Sequence, residues 1–417
     1  MPEVLIVGGG AAGMMAAVFA ARAGARVTLL EHMEKLGRKI YITGKGRCNL
    51  TNDCDREEFL SQVVRNPRFL YSALSFFGPR DMMRLMEENG CPVTVQRGKR
   101  VFPASEKASD VTRTLTALLR KYGVTVRLNT QVTGLRTEGT RILGAETAEN
   151  GFVPADAVIL ACGGISYPAT GSTGDGLRMA RKLGHEVLAP LPSLTGIETA
   201  EGWPAELQGL SLKNVTLTAR TGKKTLYSGL GEMLFTHFGI SGPLGLEASC
   251  HLPETPEGTT LTLDLKPGLT EEQLDARLRR DFAEAGRKQL AGVMPGLLPG
   301  KMARLFPALC GVQADLACSQ ITGTQREKLR RAMKALPMTV KALRPVTEAV
   351  VTRGGVSIRE IDPGTMRSRK YENLYFAGEM TDVDAHTGGF NLQIAWSTGA
   401  LSGASAAGAA QERKPIG

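Results

Sequence analysis

An α/β fold built on a parallel sheet covered on both faces is predicted by three observations. The run Val4–Val7 is wholly apolar and rich in β-branched residues, and it ends in three consecutive glycines. A second apolar run, Ala157–Ala161, empties into the glycine-rich loop CGGISYPATGSTGDG at 162–176. A third, Leu374–Ala377, stops at Gly378-Glu379, and a long helix of small, uncharged residues follows from about Asn391. Strands that feed glycine turns and then helices are the units of βαβ topology.

The first unit is the most informative. Gly8, Gly10 and Gly13 have the G-x-G-x-x-G spacing, Ala11–Arg22 reads as a helix and Ala25–Leu30 as a second buried strand. The first glycine permits the tight turn, the second admits a pyrophosphate to backbone amides, and the third lets helix and strand pack closely. The helix then points its positive end at the phosphates. Glu31 closes the second strand, where a carboxylate accepts hydrogen bonds from a ribose and repels a 2′-phosphate, so FAD or NAD is favoured over NADP. Val4–Ala21 carries no charge and is long enough to raise the question of a membrane span. Its central glycines and the preceding Glu3 argue against an anchor, and no basic n-region or cleavage site suggests a signal peptide.

With 417 residues, two or three domains are expected. A hydrophobic content of 42% and a charged content of 22% describe a soluble protein with ample core. Seven cysteines without regular spacing point to free thiols in a reducing cytoplasm, and no metal site is expected. The net charge of +10 suits a nucleic-acid partner or anionic cofactors and substrates, without choosing between them.

Beyond Glu31, Arg38, Lys39, Lys45 and Arg47 lie in a glycine-rich loop suited to lining a phosphate-bearing cofactor. Cys48 and Cys54 bracket NLTND and read as two unpaired thiols before a redox pair. Residues 57–90 have helical periodicity and end at Asn89-Gly90. A strand and turn over Cys91–Arg100 precede a break at Phe102-Pro103; Ser109–Tyr122 is a helix, and Val124–Leu128 a strand. Ile142–Glu146 and Gly151–Ala155 read as a hairpin, and Gly176–Leu183 as a helix. The loop at 162–176 lacks G-x-G-x-x-G, so no separate nicotinamide domain is expected.

From about Pro190, short alternating runs (Val215–Ala219, Thr225–Tyr227, Thr260–Leu265) suggest a small β domain, with His237 in a glycine-flanked apolar setting. Residues 270–336 are helical in texture. Gln325–Leu336 sets Leu329, Met333 and Leu336 against Arg326, Lys328, Arg330, Arg331 and Lys334, a helix that either faces RNA or is simply solvated. At the C-terminus, the amide-rich start of the helix after Gly388-Gly389 would sit beside a group that becomes anionic, as a reduced flavin does at its N1/C2-oxygen edge.

The segments GGGAAG (8–13), TGKGRCNLTN (43–52), GGISYPATGSTGDG (163–176), LFTHFGISGP (234–243), GGV (354–356) and FAGEMTDVDAHTGGFNLQIAW (376–396) together resemble the BaiN/RdsA-type, or YhiN-like, flavoproteins over nearly the whole chain. That resemblance implies a glutathione-reductase-like FAD-binding Rossmann domain with an inserted β-barrel-like domain and a helical subdomain. On the sequence these occupy 1–190 and 354–417 for FAD, 191–268 and 337–353 for the β-rich insertion, and 269–336 for the helices. It implies that Gly8, Gly10, Ala11, Ala12 and Gly13 meet the pyrophosphate and Glu31 the ribose. Arg38, Lys39, Asn49 and Leu50 would run along the cofactor, with Val132 at the adenine and Ala161, Cys162 and Gly163 beside the dinucleotide. Gly378, Glu379, Asn391, Leu392 and Gln393 would approach the ribityl and isoalloxazine; Ala385 stands where many relatives have glycine.

The expected reaction is reduction of a conjugated C=C bond by FAD, with NAD(P)H as transient hydride donor. A uridine of large-subunit ribosomal RNA is the preferred substrate. The alternatives are a small enone such as a bile-acid intermediate, or a non-catalytic FAD-containing RNA-binding or assembly protein. Cys48, Tyr167, His237 and His386 are the candidate proton donors. No membrane association is expected, and oligomeric state is left open.

Overall fold

The computed structural model describes residues 1–149 and 151–408; the last part of the expected segment 354–417 therefore lies outside the described residues. The chain forms two compact units, Met1–Ser193 with the residues from Val346 on, and Leu194–Pro345.

The first unit is centred on a five-stranded sheet. Its order is Leu374–Phe376, Ala157–Leu160, β1 (Glu3–Val7), β2 (Arg26–Leu30) and Thr125–Arg127, and every neighbouring pair is parallel. The middle strands are apolar on both faces because both are covered, so Val4, Leu5, Ile6 and Val158–Leu160 are almost wholly buried. The chain leaves β1 toward β2 and later returns on the other side through Ala157–Leu160. That reversal opens a crevice at the carboxyl ends of the two strands, where open α/β sheets bind their ligands.

Helix α1 (Ala11–Arg22) packs on the C-terminal helix Phe390–Ala406, bringing the two ends of the chain together. Glycine makes this approach possible. A β-carbon on Gly399 would stand 2.3 Å from the Ala12 carbonyl oxygen, and one on Gly403 2.1 Å from that of Ala16. Because 12 pairs with 399 and 16 with 403, the helices run in the same direction.

Some elements differ from their sequence reading. Phe102-Pro103 is the end of strand Arg100–Pro103, which pairs with Val93–Gln96 and Thr51–Asn52, and not a break; a proline at a strand end gives up little of the ladder. Val132–Glu138 adds a strand ahead of the expected hairpin, giving a three-stranded antiparallel sheet. Val187–Ser193 pairs with Val351–Val356 inside the first unit, so 191–193 and 346–353 belong there and not with the β-rich insertion. The GGV segment can be a strand because its glycines lie against backbone. A β-carbon on Gly354 would meet the Ala189 oxygen at 2.4 Å, and one on Gly355 that of Met380 at 2.6 Å.

The second unit is a closed six-stranded barrel in the order Ile197–Thr199, Gly239–Ser241, Lys224–Thr236, Ser211–Thr221, Thr260–Asp264, Leu336–Leu343. Leu217, Ala219, Phe235, Leu261, Leu263 and Met338 fill it by period-2 alternation. Helices Glu271–Ala285, Gly300–Leu309 and Gly323–Lys334 place Leu278, Phe282, Phe306 and Met333 in the same apolar core, so barrel and helices form one unit. Leu336 opens a strand and does not end the basic helix, because Ala335 leaves helical geometry at φ −153° and ψ 61°. Among the described residues no helix is long and apolar enough to cross a membrane.

Candidate active site

The glycine turn after β1 has the geometry its spacing predicts. Gly8 has φ 106°, and a β-carbon there would lie 2.5 Å from the Ala161 oxygen; one on Gly13 would collide with the Gly8 oxygen. Gly10 differs, since a β-carbon there would meet open space. It caps α1 without a side-chain hydrogen bond, and the first turn, which begins with Ala11 and Ala12, holds no acid. A helix N-terminus with no protein cap and free space before it fits a pyrophosphate. Glu31 is buried beside it, Oε2 accepting from the Gly9 N–H at 2.6 Å and Oε1 from the Met33 N–H at 2.8 Å. Its carboxylate is thereby fixed at the end of β2, with lone pairs left for a ribose.

Across the crevice, the Ala161 N–H donates to the Val7 oxygen and the Cys162 thiol donates to the same oxygen at 3.4 Å. Burial, reinforced by the Glu31 charge, pushes that thiol up to about 12. Gly163 follows with φ 74°. Val132 is buried at the start of its strand.

The second half of the site joins distant segments. Gly378, at φ 68°, lies where a β-carbon would come 2.8 Å from the Ala12 methyl, so the end of strand Leu374–Phe376 abuts the first turn of α1. Lys39 Nζ donates to Glu379 Oε2 at 2.8 Å and to Ser166 Oγ at 2.5 Å. Glu379 Oε1 accepts from the Ser166 hydroxyl at 3.0 Å and the Thr352 N–H at 2.6 Å. Burial pushes the Glu379 carboxyl up, but the Lys39 charge and these hydrogen bonds outweigh it and hold the group below the usual carboxylate range. Arg38 instead pairs with Glu34 at the surface.

The loop before the C-terminal helix is clamped by Asn391, whose amide accepts from the Ala385 N–H and donates to the Ala385 and His386 oxygens. Ala385 has no positive φ, so the absence of glycine there costs nothing. Asn49, oriented to donate to the Val101 and Thr51 oxygens, accepts from the Gly389 N–H at 3.0 Å. The Leu50 oxygen takes the Trp396 indole N–H. Leu392 is partly buried. Gln393 is fully buried, its amide engaged by Thr51, Phe77 and Ser397.

Gly389 starts the C-terminal helix with no side-chain cap and no acid in the first turn. Since Ala12 is level with Gly399, this helix begins about 12 Å beyond the start of α1, at 1.5 Å rise per residue. Two positive helix ends offset by that length fit a pyrophosphate at one and the far end of a five-carbon ribityl chain at the other. The residues present therefore fit FAD.

The candidate proton donors differ in their settings. Cys48 is wholly buried, which keeps its thiol from substrate, and the same burial pushes its pKa up to about 12. Cys48 and Cys54 are free thiols in separate apolar clusters. His237 is exposed in the turn between two barrel strands of the second unit. His386 takes the Gln62 side chain at 3.3 Å. Tyr167 is exposed, follows the buried Ser166, and has left-handed geometry with φ 49° and ψ 61°. A non-glycine residue held there is a recurrent feature of functional loops.

Sequence reasoning missed Ser166 and Thr352, and it missed the buried acids Asp382 and Asp384. Asp384 Oδ2 accepts from Ser193 Oγ at 2.6 Å, and Arg65 stands 3.9 Å from Oδ1. Burial raises the Asp384 pKa against both partners. Two acids in the small, apolar context MTDVDAH were the available signal. The basic helix Gly323–Lys334 is largely neutralised: Arg326 pairs with Asp275, Arg330 with Glu271 and Glu327, Arg331 with Glu327, and Lys334 with Asp264. It is a salt-bridged surface helix and gives no support to an RNA contact.

The family model described as the HI0933-like protein Rossmann domain matches residues 2–405. The chain is 32% identical to the 3-dehydro-bile acid delta(4,6)-reductase of Clostridium scindens, over 98% of this chain and 99% of that protein. It is 31% identical to the ribosomal RNA dihydrouridine synthase of Haemophilus influenzae, over 95% and 96%. Its fold is similar to the 3-ketosteroid-delta4-(5alpha)-dehydrogenase of Rhodococcus jostii, with a TM-score of 0.51 at 15% identity, over 99% of this chain and 97% of that one. A glycine turn, a buried carboxylate at the end of β2 and a C-terminal helix that fit a dinucleotide accord with a match spanning almost every residue, and the chain belongs to the HI0933-like family of flavin-dependent oxidoreductases.

Proposed function

We propose that the protein reduces a C=C bond conjugated to a carbonyl, with a uridine of large-subunit ribosomal RNA as substrate and NAD(P)H as transient donor in the cytoplasm. The observation that carries the reading is the pair of uncapped helix ends, after Gly10 and Gly389, supplied by opposite ends of the chain within one unit. A reduced flavin held there would supply hydride-transfer chemistry at the β-carbon of the unsaturated carbonyl, and an acid offered by the chain would protonate the α-carbon. The chain's own part is to hold that cofactor through the Gly8–Gly13 turn and Glu31, to fix Glu379 by Lys39 and Ser166, and to offer an acid, a role we give to the exposed Tyr167 beside Ser166. The positive end of the C-terminal helix favours the anionic reduced cofactor.

Uridine and the enone of a bile-acid intermediate present the same polarised C=C, so relatives named for either support the chemistry equally. The net charge of +10 favours the polyanion. The small enone is a second reading, favoured by the 32% identity to the bile-acid reductase. The test is nucleoside analysis of large-subunit ribosomal RNA from a deletion strain and its complemented control. Loss of one dihydrouridine supports the RNA substrate; an unchanged profile, with steady NAD(P)H oxidation by the purified protein on an enone, supports the second reading.

A further inference from the structure

We infer that the long hairpin of the barrel, Ser211–Thr221 with Lys224–Thr236, is a docking surface for the sugar-phosphate backbone of RNA. The inference rests on the RNA reading above and adds where the polyanion is held.

Four cations, Lys213, Arg220, Lys223 and Lys224, fall between residues 207 and 231, and that stretch contains no Asp or Glu. Arg220, Lys223 and Lys224 are exposed and make no ion pair among the described residues, and Arg220 Nε donates to the neutral Thr225 hydroxyl. The contrast with the helix Gly323–Lys334 is direct: there most cations are matched by acids, and here none is. The tip is tight, since Thr221 pairs with Lys224 and Gly222 supplies the positive φ of 55° that a two-residue turn needs. The cations are therefore projected by a rigid element and not by a loose loop.

The face next to the tip is neutral and polar; farther back, Thr216 is flanked by Leu230 and by Asp264, whose carboxylate pairs with Lys334. Leu217 and Ala219 point into the barrel, which turns Thr216, Thr218 and Arg220 outward. Thr218 is flanked in register by Ser228 on one side and Thr262 on the other, and Arg220 by Thr225 and Thr260. Rows of neutral hydroxyls thus lead to an unpaired guanidinium and two ammonium groups. Hydroxyls and cations are the groups that contact phosphate and sugar without reading sequence. Successive outward residues stand about 6.8 Å apart, a step comparable with that between neighbouring phosphates of one strand.

The test compares Lys223→Ala/Lys224→Ala with Lys328→Ala/Arg331→Ala, which removes equal charge from the helix, using protein-free large-subunit ribosomal RNA as probe and the FAD-loaded full chain. The hairpin variant is expected to bind at least tenfold more weakly, with the slope of log affinity against log salt reduced by roughly 1.4–1.8; the helix variant should match the parent. Equal weakening of both variants, no effect in the hairpin variant, or binding of the parent to phosphatidylglycerol vesicles and not to RNA overturns the inference. Melting temperature and flavin content verify that each variant is folded. Dihydrouridine in the complemented strain separates the two ideas. A parent that restores it while the hairpin variant binds RNA normally sinks the docking surface alone; a parent that binds RNA through the hairpin without restoring it sinks the uridine substrate alone.

Discussion

Lys39 Nζ lies 2.8 Å from Glu379 Oε2, although 340 positions separate the two residues. The pair ties the loop after β2 to the end of the strand Leu374–Phe376, and Ser166 and Thr352 complete its hydrogen bonding. It is where the N-terminal and C-terminal parts of the flavin domain are fastened by charge.

Glu379→Gln keeps the shape and removes the charge, leaving the Lys39 ammonium with a weaker acceptor. The expected loss is about 1.5–3 kcal/mol, the range for hydrogen bonds to charged groups. The pH dependence has a definite sign. The folded-state pKa of Glu379 is depressed below 4.5, so its contribution is present above that value and is lost as pH falls through the lower folded value. Thermal melts between pH 7 and 3 should show the parent losing stability at the acid end and Glu379→Gln losing less there.

Glu31→Ala removes the acceptor for the Gly9 and Met33 N–H groups and, on the proposed reading, the ribose ligand. Flavin retention is expected to fall by at least tenfold, read as the flavin-to-protein ratio after gel filtration. Glu31→Gln keeps one acceptor oxygen and should retain more flavin than the alanine variant. Equal flavin content in all three proteins would mean that the ribose is not held there.

What the sequence disclosed and what it withheld divide along a physical line. Gly8, Gly10, Gly13 and Glu31 were legible because the turn, helix and strand that use them are contiguous, and spacing alone fixes their geometry. The Lys39–Glu379 pair, Ser166 and Thr352 were not, because only tertiary closure brings them together. Cys48 sits in a polar-looking segment, RCNLTN, and nothing local announces that its side chain turns into the core. The basic helix misled for a related reason: its charge is visible in the sequence, whereas Asp264, Glu271 and Asp275, which neutralise it, lie some 50 to 70 positions earlier.

Gly403→Ala tests the closure of the two chain ends. In an exposed helix interior this change stabilises by about 1 kcal/mol. Here the new β-carbon would stand 2.1 Å from the Ala16 oxygen, and the helices must move apart to admit it. Overpacking of this kind costs about 1–3 kcal/mol, so the net effect is destabilising and the melting temperature falls. The same substitution at Gly323, where a β-carbon meets nothing, is the control and should not lower it.

Tyr167→Phe and Cys48→Ser separate the proton donors. General-acid catalysis contributes about 10²–10⁴ in rate. A donor must reach substrate and carry a proton at working pH. Cys48 is sealed in the core, so Cys48→Ser should leave kcat within about a factor of two. The Tyr167 phenol is exposed on a loop whose neighbour Ser166 bonds Lys39 and Glu379. Tyr167→Phe should lower kcat by at least a hundredfold while flavin content and the rate of flavin reduction by NAD(P)H stay unchanged. Unchanged turnover in Tyr167→Phe would shift the assignment to the two histidine candidates, His386 and His237, to be separated by the same substitution test.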